Sequence, residues 1–399
     1  MTYKLLNTVV AISLIVASMG ILSQISMVAS GDASSSLKDW TFMVYIIGDN
    51  DLDPYVNSDL YEMMSVGSTS RVNIIALVDL YRVNGSVMYY IGRNELTPIW
   101  GSWSSEYELN MGDPSTLTWF IREATSKYPA RHYALVIWDH GDSWAGVGWD
   151  DTNSDYLTME ELKTAIRNIG VFIDIVGFDA CLMASIEVAY TLSLTNNVGI
   201  IVASEEMIPG HGWPYREILS KLVENPGMSP EEFAGVIVNE YVASYWHGSQ
   251  GTQTYVTMSA VDARKLPILV SYMATLTNKL LSNIETYSRY VRAAGEAAER
   301  FWFGIMYQGP YIDLRDFLEN LLKLKRELNP YINPILSDWS NIIISYNSTR
   351  GPHHGGAYGL TIYFPRNKKL FYNPEYYYNS IPEFASEIDW YKLLEYTLS

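Results

Sequence analysis

One cysteine, Cys181, occurs in 399 residues. An intramolecular disulfide is therefore excluded, and an exported chain would have to keep that single thiol reduced. Histidine is sparse, with six in the whole chain. Cations are outnumbered as well: 27 Lys and Arg stand against 44 Asp and Glu, a formal charge of −17. Nucleic-acid binding needs basic surface, so nucleic acid is excluded as a partner. The same charge keeps the chain soluble and draws basic substrates towards it. No internal repeat or low-complexity tract is present.

What is there is material for a core. Hydrophobic residues make up 48% of the sequence. The length exceeds the usual single core, so one large domain with an accessory region is expected. The one long apolar run is at the start. Lys4 precedes a largely apolar stretch from Leu5 to Leu22, followed by small residues around Ala29 and Ser30. That order suits a secretory signal peptide, or an N-terminal anchor if it is not cleaved. Residues 1–30 are assigned to it and 31–39 to a linker, which makes the protein secreted or extracytoplasmic. Contact with a membrane is expected only through this segment.

Beyond it, short apolar runs alternate with helical patterns. Strands are expected at 41–47, 72–78, 133–138, 173–178, 198–203, 254–259 and 359–364, and helices at 115–127, 158–168, 182–194 and 230–246. This alternation predicts an α/β fold, a mainly parallel sheet with helices on both faces. Residues 262–345 read as mostly helical and are expected to form an accessory layer before the last strand.

Cys181 follows the run Ile173 to Phe178 directly. Most free cysteines are small core residues. Here the expected position is different: the carboxyl end of a strand and the amino end of the helix predicted from Leu182. Ligands of open α/β sheets bind at that edge, and a helix dipole there favours the thiolate. A thiolate nucleophile needs a histidine partner. His140, in Trp138-Asp-His-Gly141, also follows an apolar run and would face Cys181 if the two strands are parallel. His132 precedes its strand and belongs at the opposite edge. His211 lies in the loop Pro209-Gly-His-Gly-Trp213, while His353 and His354 read as a solvated Gly-rich turn.

Strand-His-Gly followed by strand-Asp-x-Cys resembles the caspase-like cysteine peptidases, and in detail the clostripain family. The likeness is carried by Phe42 to Leu52, Trp138 to Gly141, Phe178 to Met183, Ala203 to Glu206, Pro209 to Tyr215 and Tyr358 to Pro365. These blocks occur in order over most of the mature chain. The resemblance implies a catalytic core over residues 40–261. A largely helical region, 262–399, would carry a returning strand near 359–364. It implies an exported cysteine endopeptidase with Cys181 as nucleophile and His140 as general base and acid. Backbone N–H groups of Gly141 and Cys181 would form the oxyanion hole. Substrates would be proteins or peptides cut after a basic residue, Arg or Lys. Asp179 would pair with the guanidinium, and Glu205 and Glu206 are candidate second acids. Asp179 can instead cap the helix predicted after it. The alternative to a peptidase is a catalytically inactive caspase-like binding module at the cell surface.

No cofactor is needed for this chemistry. Calcium remains a candidate ligand, because Asp49 to Asp53 and Asp150 to Asp155 offer oxygen ligands at alternate positions. Neither segment is an EF-hand: Tyr156 and Leu162 stand where its glycine and glutamate belong. Asp49 and Asn50 border the expected cleft and are given no catalytic role.

Members of the family often cut themselves at a basic residue after the histidine. No Lys or Arg occurs here between Gly141 and Leu162, and Lys163 falls inside a predicted helix. The mature protein is therefore expected to run as one band on a denaturing gel. Two stable fragments parted near residue 150 would refute this.

Overall fold

The computed structural model describes residues 37–253, 255–301, 309–349, 355–370 and 373–398. The leader assigned to residues 1–30, His353 and His354 lie outside them. No helix among the described residues is long and apolar enough to cross a membrane.

The first strand explains the layering. β1 (Lys38–Gly48) alternates Phe42, Val44 and Ile46 with Met43, Tyr45 and Ile47, and all six are fully buried. A strand apolar on both faces must be covered on both. It lies within a nine-stranded sheet with β2 (Val72–Leu80), β3 (Val83–Gly92), β4 (Glu95–Gly101) and β5 (Ala130–Trp138). The remaining strands are β6 (Ile173–Asp179), β7 (Val198–Ala203), β8 (Thr257–Asp262) and β9 (Ile343–Ser348). The spatial order is β9-β8-β7-β6-β5-β1-β2-β3-β4. The central strands β2, β1, β5, β6 and β7 are parallel, and two antiparallel strands flank them on each side.

One face packs against α1 (Asp53–Val66), α5 (Tyr215–Glu224) and α6 (Pro230–Tyr245). The other takes α2 (Pro114–Lys127), α3 (Met159–Arg167) and α4 (Ile186–Ser193), and its apolar cluster continues into the C-terminal helices. Burying each of these side chains contributes roughly 1.5–3 kcal/mol. Starts are well signalled: Thr158 with Glu161 and Ser229 with Glu232 form capping boxes on α3 and α6.

Several sequence expectations need correction. α4 begins at Ile186, with the Ser185 hydroxyl accepting from Val188 N. Residues 180–184 are drawn out of helix by tertiary hydrogen bonds: Leu182 N donates to Glu206 O, Ala184 N to Ser204 O, and Thr361 N to Ala184 O. Leu182 takes a left-handed φ of 65° in consequence. Asp179 therefore caps no helix. The returning strand is Thr361–Tyr363, but it belongs to a separate three-stranded sheet with Arg300–Phe301 and Tyr311–Asp313. β3, β4 and β9 were not anticipated. β8 runs to Asp262, three residues past its expected end.

Glu187 ties α4 to the smaller, three-stranded sheet. It is fully buried in α4 and accepts from Tyr363 N, while its second oxygen has no hydrogen-bond partner among the described residues. Burial pushes its carboxyl up to about 7. A raised carboxyl stabilises the fold while protonated, and that contribution is lost as pH rises through about 7. Glu187→Gln keeps the acceptor and removes the charge. Urea unfolding should give near parity with the parent at pH 5 and a gain of about 1–3 kcal/mol at pH 8. A variant weaker at both pH values would contradict a neutral Glu187.

Candidate active site

Two parallel strands end side by side here. Trp138, the last residue of β5, pairs with Asp179, the last of β6, and Asp139 N donates to Asp179 O. His140 and Cys181 each lie two residues further on, at the carboxyl edge of the sheet. Gly141 fills the gap between the segments. A Cβ at Gly141 would come within 2.5 Å of Cys181 O. The short ladder after it uses the flanking amides, Gly148 N to His140 O and Asp142 N to Gly146 O. The Gly141 N–H is not spent on that ladder.

The turn holding His140 rests on a buried carboxylate. Asp139 accepts from Asn50 Nδ2 at 2.7 Å and from Trp149 N, and Asn50 also donates to Trp149 O. Burial raises the Asp139 carboxyl, and the backbone N–H of His140 is among the donors that hold it down. His140 Nε2 lies 2.7 Å from Asp51 Oδ1, an exposed pair. Asp139 and Asp51 were missed as supports of the histidine. Their signal was present, as acids at strand ends one residue from a motif histidine or an asparagine.

Cys181 is partly buried, and its Sγ accepts from Ile208 N at 3.3 Å. Burial, with Glu206, Asp179 and Asp139 nearby, pushes the thiol up to about 12. This overturns the expected thiolate. No helix begins at Leu182, so no dipole supports negative charge, and the neighbouring charges are carboxylates.

Asp179 is buried, and its Oδ2 accepts from Trp213 N and from the Tyr215 hydroxyl, both at 3.0 Å. Gly212, at φ 61°, lets that loop approach, since a Cβ there would meet Asp179 Oδ2 at 2.7 Å. Burial lifts Asp179 to about 7, with Glu62 adding to the push. Asp59, held by Trp138 Nε1, faces Asp179 in turn. The two glutamates part company. Glu205 is fixed in the wall, accepting from Gly359 N and sharing hydrogen bonding with buried Asp313. Glu206 is the one that acts on Cys181. His132 bonds Asp174 at the far edge of the sheet, and His211 is exposed, edge-on to Tyr55.

Partly buried Cys181, His140 on the adjacent strand end and buried Asp179 thus stand together at one edge of the sheet. The model of the clostripain family matches residues 44–396. Clostripain from Hathewaya histolytica is 25% identical over 443 aligned positions, covering 94% of this chain and 83% of that protein. A secreted C11 cysteine protease from Bacteroides thetaiotaomicron, solved with an irreversible peptide inhibitor, superposes with a TM-score of 0.69. It is 22% identical, with 88% of this chain and 99% of that one covered. An inactive zymogen C11 protease from Parabacteroides distasonis gives 0.64 at 20% identity, with 90% and 99% covered. The chain is a cysteine endopeptidase. It belongs to the clostripain family.

Only the thiolate alkylates at an appreciable rate. Iodoacetamide labelling of Cys181 should therefore quicken about tenfold per pH unit between about pH 7 and pH 10, without a plateau. Glu206→Gln should speed labelling throughout. A plateau near neutral pH, read by mass spectrometry, would contradict the raised thiol.

Proposed function

We propose that Cys181 and His140 form the catalytic dyad of an exported endopeptidase that cuts after Arg or Lys. The observation that carries this reading is the register of β5 and β6, which sets Trp138 opposite Asp179 and sends both chain ends to the same edge. Burial keeps Cys181 protonated in the free enzyme. The thiol proton passes to His140 as sulfur attacks the scissile carbonyl, and His140 returns it to the leaving amine. The N–H groups of Gly141 and Cys181 receive the oxyanion. Asp51 is the exposed carboxylate that orients the ring, through the nitrogen it bonds at 2.7 Å.

Preference for a basic residue rests on Asp179. It is buried, and its charged neighbours Glu62 and Asp59 are also acids. A guanidinium entering there gains a charge-assisted, two-point contact. Glu206 supplies further negative potential beside the nucleophile. Export is read from the N-terminal segment.

Reporter peptides with Arg, Lys, Asp or Leu before the scissile bond test this. Cleavage after Arg or Lys should vanish in Cys181→Ala. Asp179→Asn should lower kcat/KM for the Arg peptide by about 10–100-fold, the worth of a hydrogen bond to a charged group. Asp179 is raised to about 7, so kcat/KM for Arg should fall as pH drops below that value and the carboxylate takes up a proton. Cleavage after Leu or Asp would remove the role given to Asp179, and activity surviving in Cys181→Ala would remove the dyad.

A further inference from the structure

Tyrosines from two helices back Asp179. Tyr215 opens α5 and bonds Asp179 Oδ2 through its hydroxyl. Tyr241 and Tyr245 lie one turn apart at the end of α6, both fully buried, with ring centroids 5.2 Å apart. The Tyr245 hydroxyl donates to Gly212 O at 2.8 Å, and Gly212 is the residue that lets its loop close on Asp179. Two of the three hydroxyls are thus engaged. That of Tyr241 is buried with no hydrogen-bond partner among the described residues.

A buried hydroxyl left unpaired is costly, so an orphan beside a binding site calls for a partner on the ligand. Burial raises the Tyr241 hydroxyl and keeps it protonated, with Tyr245, Asp179, Cys181 and Glu206 adding to the push. Apart from its neighbour Tyr245, these groups are the nucleophile, the acid assigned to the basic side chain and the acid beside Cys181. The donor count at Asp179 agrees. An ionised carboxylate has about four acceptor sites. Asp179 Oδ2 already accepts from Trp213 N and from the Tyr215 hydroxyl, both at 3.0 Å. An arginine guanidinium brings about five N–H donors, and a lysine ammonium about three. The guanidinium therefore needs an acceptor besides Asp179.

We propose that the Tyr241 hydroxyl is a specificity-determining acceptor, taking a guanidinium N–H of a substrate arginine that Asp179 does not take. This rests on the reading of Asp179 as the pocket acid. The planar fork of arginine spans two acceptors at once, whereas the compact ammonium of lysine is a point charge that one carboxylate satisfies. Tyr241 thereby separates arginine from lysine, a choice that the charge of Asp179 alone does not make. The hydroxyl keeps its proton and contributes a lone pair.

The test measures kcat and KM for peptides that differ only in Arg or Lys before the scissile bond, with the parent, Tyr241→Phe and Tyr245→Phe. The parent should prefer Arg. Tyr241→Phe should lower kcat/KM for Arg about tenfold or more and change that for Lys by less than about threefold, so the Arg-to-Lys ratio collapses. Its melting temperature should be no lower than the parent's, since no bond within the protein is lost. Tyr245→Phe does lose one, to Gly212 O, and should lower kcat/KM for both peptides alike. The proposal is overturned if the Arg-to-Lys ratio survives in Tyr241→Phe, whatever the size of a shared loss, or if the parent prefers Lys. A Tyr241→Phe chain that melts well below the parent would show a hydrogen bond within the protein and equally overturn it. A parent that cleaves after neither Arg nor Lys removes the pocket reading and this proposal together, a result seen before any variant is made.

Discussion

The parallel pairing of β5 with β6 is the constraint on which the site depends. It brings Trp138 opposite Asp179, so the residues two places on, His140 and Cys181, leave the sheet at the same edge. A one-residue slip would turn alternate side chains to the other face and part the pair. The register is held from both sides of the sheet. Ala134 and Val136 pack into one core, Leu135 and Ile137 into the other. The core thus determines the chemistry by fixing where two chain ends emerge.

Around that edge the molecule buries carboxylates rather than exposing them all. Asp59, Asp139, Asp179, Glu187, Glu205 and Asp313 are all buried, and burial raises every one of them. Buried acids near Cys181 disfavour its thiolate. Cys181 is held as a thiol against Ile208 N, and His140 is paired with Asp51. Each side chain is bonded to a third group rather than to the other.

The central parallel strands were legible because each is an apolar run closed by a polar residue, and so were Cys181 and His140, which stand at two such closures. α3 and α6 were legible through their capping residues. α4 was misplaced because Leu182 to Ser185 carry helical sidedness, yet the amides of Leu182 and Ala184 are drawn to Glu206 and Ser204, just past β7, and the Ala184 carbonyl to Thr361 N. That competition involves residues far apart in the chain, and local pattern contains no trace of it. β4 escaped notice because it is an edge strand with exposed positions, and β3, which pairs between β2 and β4, because its buried run shows little alternation. The choice between Glu205 and Glu206 turned on Asp313 and Gly359, more than a hundred residues away.

The strand Thr361–Tyr363 lies far along the chain from Cys181, yet Thr361 N bonds Ala184 O and Tyr363 N bonds Glu187, three and six residues past Cys181. Trp390 in turn donates to Tyr363 O. These bonds cannot form until residues 361–363 have been made. During synthesis, and during any passage through a membrane as an extended chain, the segment around Cys181 lacks the partners that hold its turn. The order of translation itself therefore delays completion of this turn until residues 361–363 are present.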